Sequence, residues 1–187
     1  MTTRRNILEW LAAGGGAGVL GACAGAPAID PAAAWRNPGA DENDPRRWVL
    51  AHAILAPNPH NRQPWLVDLP GTEQIVFYAD TARLLPATDP PNRQITVGCG
   101  AFLELLDLAA RQRGLRADIE LWPEGEPQPV LDDRPIARVR LVPDPTVQPD
   151  PLFAQILKRH TNRKPYDLKA PPKAELLARI TAAAATP

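Results

Sequence analysis

Two short stretches of the chain hold residues whose types and spacing suit chemistry. One is Lys158-Arg159-His160-Thr161-Asn162-Arg163, followed by Lys164-Pro165-Tyr166-Asp167. In extended chain Arg159, Thr161 and Arg163 fall on one side, because side chains alternate with period two. Two guanidinium forks with a hydroxyl between them suit a phosphate and the polar chain attached to it. A solvated basic face is the other reading of the same residues. The second stretch is Pro57-Asn58-Pro59-His60-Asn61-Arg62-Gln63-Pro64-Trp65. Asn58, Asn61 and Gln63 carry amides that donate and accept together, as recognition of a planar heterocycle with mixed edges requires. The alternative is a proline-pinned turn whose amides bond only its own backbone.

Familiar catalytic sets are missing. His52, His60 and His160 show neither H-E-x-x-H nor zinc-finger spacing, and the sequence has no P-loop and no G-x-S-x-G elbow. Cys99 lies in the most apolar helical stretch and reads as a buried, inert thiol. No catalytic side chain and no metal ligand is assigned. Any chemistry must then come from something the two stretches hold.

The elements around them follow from caps and periodicity. Asp44 and Pro45 predict the start of a helix over 46–56, stopped by Pro57 and Pro59. Residues 65–69 and 75–79 read as strands of a hairpin about Pro70-Gly71-Thr72. The strongest helix runs over 92–113, with Ile95, Phe102, Leu105, Leu106 and Ala109 at helical spacing. Gly98 and Gly100 leave room there for a close neighbour, and Gly114 stops the helix. Strands are expected at 117–122 and 136–142, an amphipathic helix over 151–159, extended chain to Pro171, and a last helix over 172–185.

The chain has 187 residues, with 21 Lys and Arg against 21 Asp and Glu. That balance argues against a nucleic-acid partner. Its 23 prolines predict short elements and ordered loops rather than a helical bundle. Residues 1–22 read as an export signal: Arg4-Arg5 before Asn6-Ile7-Leu8, then an uncharged run from Trp10 to Ala22, too short to span a bilayer. The pair resembles the twin-arginine type. Leu20-Gly21-Ala22-Cys23 resembles a lipobox, which would make Cys23 a lipidated first residue anchored to a membrane. Gly16-Ala17-Gly18-Val19-Leu20-Gly21 fits G-x-G-x-x-G, but no strand precedes it, so its glycines belong to the signal. Residues 23–44, rich in Ala, Pro, Asn and Asp, read as a flexible tether.

The two stretches together resemble the nitroreductase family of FMN-dependent oxidoreductases. Arg159-His160-Thr161-Asn162-Arg163 resembles its R-x-[ST]-x-[RK] flavin signature, and residues 57–65 resemble its P-S-x-x-N-x-Q-P-W loop, with Asn58 in place of Ser. Asp89-Pro90, Arg93-Gln94 and Cys99-Gly100-Ala101 resemble the approach to its long core helix. The resemblance covers about residues 46–187. The arginine signature follows the loop here, the reverse of ordinary members, which fits the exported branch with two fused family-like halves. Residues 45–150 would be the first half and 151–187 the start of the second. Val49–Ala56 can be laid over Leu176–Ala183, an internal repeat in keeping with that reading, and the chain is expected to be incomplete.

What the resemblance implies is an α+β fold of nitroreductase type, a three-layer antiparallel sheet flanked by helices with a long core helix. It implies FMN, with Arg159 and Thr161 on the phosphate and ribityl chain and Arg163 at the pyrimidine edge. Pro57, Asn58 and Asn61 would meet the flavin from the other side of an interface. The implied reaction is two-step hydride or electron transfer from a reduced donor, with NADPH and NADH among the candidates, to a nitroaromatic or quinone-like acceptor. A flavin-binding or sequestering lipoprotein without turnover, or a truncated fragment, is the competing expectation. The implied partner is the missing second half or a second copy of the chain, and the implied location is the bacterial periplasm or a membrane-anchored lipoprotein.

Overall fold

A computed structural model describes residue 30 and residues 32–184. The stretches expected to be an export signal and a lipobox, with Cys23, lie outside the described residues. The chain divides after Ala33. In the first unit Asp30 closes a turn by accepting from the backbone of Ala32 and Ala33. The rest concerns the second unit, Ala34–Pro187.

Its centre is an antiparallel sheet of four strands: β1 (Trp65–Asp68), β2 (Gln74–Ala79), β3 (Leu115–Leu121) and β4 (Ala137–Pro143), in the order β1-β2-β4-β3. β1 and β2 form the expected hairpin, with Trp65 opposite Ala79 and Asp68 opposite Val76. β3 and β4 pair along their whole length, and the exposed ladder carries Arg138 to Glu120 at 3.1 Å and Arg140 to Asp118 at 3.2 Å. With α1 (Pro45–Ala53), α2 (Arg93–Gln112) and α3 (Ala174–Ala184), the fold is α+β.

Each helix forms for a local reason. Asp44 caps α1 by accepting from the Arg46 backbone N–H at 2.9 Å, and Pro45 occupies the first turn, where its missing N–H costs nothing. α1 ends at Ala53, earlier than the sequence predicts, with Leu55 and Ala56 in tight turns instead. α2 buries Ile95, Cys99, Phe102, Leu106 and Ala109. Phe102 stacks on Phe77 of β2 at 4.3 Å and meets Trp65 of β1 at 5.0 Å, which fixes helix to sheet. Val49 and Ala53 of α1 join the same core.

The start of α2 is held from outside the helix. Asn92 stands at the cap in the left-handed region (φ 57°), and its side chain goes elsewhere, accepting from the Leu131 N–H and donating to the Asp89 carbonyl. Buried Asp89 does the capping, accepting from the Gln94 and Ile95 N–H groups at 2.9 and 3.1 Å. A carboxylate there also meets the positive end of the helix. Asp89→Asn is therefore expected to lower stability by about 1–3 kcal/mol in urea unfolding, since it removes the charge and replaces an acceptor by a donor. An unchanged midpoint would refute this role.

Residues Pro151–Lys158 form a 3₁₀ helix rather than the expected α-helix, capped by Asp150 on the Leu152 N–H. Ile156 is its buried anchor, packed with Leu55 and Leu108. Residues 35–44, read from sequence as part of a tether, lie on this body. Trp35 packs on the Ile156 cluster, and Gly39 (φ 72°) sits so close to Trp48 that an added Cβ would come within 2.8 Å of the indole. Gly98 likewise faces a neighbour, the Pro57–Asn58 backbone, whereas Gly100 faces open space. α3 and the chain before it are exposed, with Tyr166 and Leu168 over nine-tenths so. Among the described residues no helix is long and apolar enough to cross a membrane.

Candidate functional site

A groove of about 610 Å³ opens between the end of α1 and the chain that follows the 3₁₀ helix. One wall is Ile54 to Gln63. The other is Leu157 to Arg163, with Trp35 completing it. The two stretches singled out by their chemistry, about a hundred residues apart in sequence, thus face one space. Pro57, Asn58, Asn61, Arg159, Thr161 and Arg163 all line it.

The 57–64 wall is a constrained loop. His60, Asn61 and Gln63 each hold φ near 50°, a region that side chains with a Cβ rarely occupy. What over-determines it is visible. The Asn58 Oδ1 accepts from the Gln63 N–H at 2.9 Å, and its amide donates to the Ala56 carbonyl at 3.2 Å. Arg62 and Arg83 lock the loop from outside, each donating to the other's backbone carbonyl. The Trp65 indole N–H donates to Gln63 Oε1 at 2.7 Å, and the Gln63 amide donates to Asn61 Oδ1 at 2.9 Å.

So the amides divide. Asn58 bonds its own loop, which is the bland alternative for that residue. Asn61 keeps its NH₂, and Gln63 keeps one N–H, with no partner among the described residues.

The opposite wall is cationic. Lys158, Arg159 and Arg163 line the groove with His60 and His160, and among the described residues no Asp or Glu lines it. Three permanent positive charges without a counter-ion make the groove an anion trap. Arg159 is the most constrained of them. Its Nη2 donates to the Leu55 carbonyl at 2.9 Å, and its guanidinium lies 5.3 Å from the Trp35 ring centre, in cation–π range. Its Nε is buried and has no hydrogen-bond partner. Arg159 is thus half-spent on the protein and half-available. Thr161 and Arg163 are exposed and make no side-chain bond among the described residues.

Trp35 escaped the sequence reading. It stands after Ala32-Ala33-Ala34 in a stretch read as a tether. A lone large aromatic there was the available signal, since exposing it in a solvated linker wastes apolar area.

Cys99 is 1% exposed and its thiol is pushed up to about 12 by burial, so it supplies no nucleophile. His52 is buried too, between Trp48 and Phe153, and burial holds its pKa below the ordinary value. The neutral ring folds and the unfolded ring protonates first. Stability is therefore complete above about pH 6.5 and falls as pH drops from there toward the lower folded value. Urea midpoints at pH 7.5 and 5.5 should show this loss, and His52→Leu should flatten that part of the slope. An equal slope in the variant would assign it to other groups. Among the described residues no three His, Cys, Asp or Glu side chains gather as metal ligands.

No family model matches the sequence. Among curated proteins the chain is similar to three from Mycobacterium tuberculosis. It is 35% identical to "Uncharacterized protein Rv3127" over 128 residues, 64% of this chain and 36% of that one. It is 33% identical to "Putative NAD(P)H nitroreductase Rv3131" over 121 residues, 64% of this chain and 33% of the relative. A third, "Putative NAD(P)H nitroreductase acg", is 35% identical over 71 residues, 38% and 21% of the two chains. Distant homologues thus carry the nitroreductase name. The chain spans about a third of the length of the first two relatives.

Proposed function

We propose that the groove holds FMN and that the chain is part of an oxidoreductase of nitroreductase type. The carrying observation is a space of about 610 Å³ bordered, among the described residues, by three permanent cations and no acid, with amide donors on the facing loop. A phosphate-bearing planar heterocycle matches that division of charge and hydrogen bonding. The buried Nε of Arg159, which has no partner among the described residues, fits the same reading, because a buried donor without a protein acceptor is expensive unless an anion meets it.

Within this proposal Arg159, Lys158 and Thr161 hold the phosphate and its polar chain, and Arg163 supplies positive charge at the heterocycle's edge. Asn61 and Gln63 offer N–H donors from the loop. Asn58 and Pro57 shape that loop, and Trp35 pins the Arg159 guanidinium in place. Bound flavin supplies the hydride or electron transfer, from a nicotinamide donor to a nitroaromatic or quinone-like acceptor. The side chains neither move a proton nor form a bond; they bind, orient and balance charge. The names of the relatives support the reaction class. The arginine pair at 4–5 and the lipobox at Cys23 support an exported, membrane-anchored protein, and a second half or second copy would cover the open side of the groove.

Titration of the full chain with FMN tests this. Expected are a red-shifted flavin spectrum, quenched flavin fluorescence, bleaching by NADPH or NADH, and recovery on adding a nitroaromatic or quinone. Retained flavin that no donor bleaches would leave binding and remove turnover. Folded protein that stays colourless in excess FMN would overturn the proposal.

A further inference from the structure

A second cavity, of about 350 Å³, lies on the other side of the 3₁₀ helix, with Leu157 common to both. Trp48 and His52 of α1 border it together with Phe153, and the Trp48 and Phe153 rings are stacked at 5.9 Å. Two opposite charges also border it. Arg113, just past α2, lies 5.1 Å from the Trp48 ring centre, and Glu42 comes from the segment before α1. Among the described residues neither side chain has a hydrogen bond or an ion pair, and they do not pair with each other. Elsewhere on this surface arginines close onto neighbouring carboxylates, as Arg46 does with Asp44 and Arg134 with Asp132.

His52 adds direction. Its Nδ1 lies 2.9 Å from the Trp48 carbonyl, which can only accept, so Nδ1 carries the hydrogen and Nε2 is left as an acceptor without a partner. Aromatic walls, one cation and one anion without an ion pair, and one acceptor then share a space at the small end of ligand cavities. We propose that this cavity binds a zwitterionic aromatic α-amino acid. Its carboxylate meets Arg113, its ammonium meets Glu42, and its ring lies against the open side of the mutually packed Trp48, His52 and Phe153 rings, a ring N–H or O–H donating to His52 Nε2. The site is independent of the flavin proposal.

Calorimetric titration of the full chain with L-tryptophan is the test, with tryptamine lacking the carboxylate and indole-3-propionate lacking the ammonium. Saturable binding is expected for L-tryptophan, with each analogue about tenfold weaker or worse. Arg113→Gln should weaken L-tryptophan and indole-3-propionate about tenfold and leave tryptamine unchanged, whereas Glu42→Gln should give the mirrored pattern. Neither side chain makes a hydrogen bond or an ion pair among the described residues, and Arg113→Gln gives up only the contact with the Trp48 ring, so both variants should fold, and either alone decides the matter. Absence of saturable heat, equal affinity of all three ligands, variants that bind like the parent, or competition by FMN would overturn the assignment.

Discussion

Replacing Arg159 by Glu is expected to abolish FMN retention, weakening binding by at least about a hundredfold. Among the described residues the groove has three permanent cations and no carboxylate, so the substitution turns attraction into repulsion at the most enclosed of the three. It also removes the bond to the Leu55 carbonyl and the stack on Trp35, so some loss of stability should accompany it. Arg163→Glu separates the two effects. Its side chain is exposed and makes no bond among the described residues, so stability should hold while flavin affinity falls about tenfold or more. Equilibrium titration followed by flavin fluorescence, with circular dichroism for the fold, reads both. Two folded variants that bind FMN like the parent would remove the cationic wall from the site.

Phe102→Ala is expected to cost about 3–5 kcal/mol. Phe102 is fully buried, stacked on Phe77 with an interplanar angle of 10°, and in contact with Trp65. The cavity left would open where α2 meets β1 and β2, and rings on separate elements cannot all collapse into it. The thermal midpoint should fall by roughly 6–20 °C for a domain of this size. Trp65 follows the 57–64 loop directly and holds Gln63 through its indole, so the loop wall should loosen as well. A loss below about 1 kcal/mol would show that α2 is not the element that binds the sheet.

These two substitutions touch different kinds of information. The elements themselves were legible because their causes are local. Asp44-Pro45 starts a helix within two residues of itself, and period-two runs on both sides of Pro70-Gly71 make a hairpin with little loop to close. Apolar spacing at Ile95, Phe102 and Leu106 marks a helix with a buried apolar stripe. The errors were local too. α1 stops at Ala53, short of the prolines, and the 151–158 turn tightens to a 3₁₀ helix although its apolar spacing reads as α.

By itself the sequence determined which side chains had chemistry to offer: the Arg159-Thr161-Arg163 trio, the Asn58-Asn61-Gln63 amides, and an inert Cys99. Only the tertiary structure decided which of these share a space and which are already spent. The meeting of residues 57–63 with 159–163 depends on Ile156 docking beside Leu55 and Leu108, contacts closed across long chain separations that no short window encodes. Asn58 was committed to its own loop by a left-handed backbone at His60, Asn61 and Gln63. Trp35 reached Arg159 from a segment whose composition read as solvated linker. The reason is common to all three: residue type sets what a group can bond, whereas burial and competition among neighbours set what it does bond.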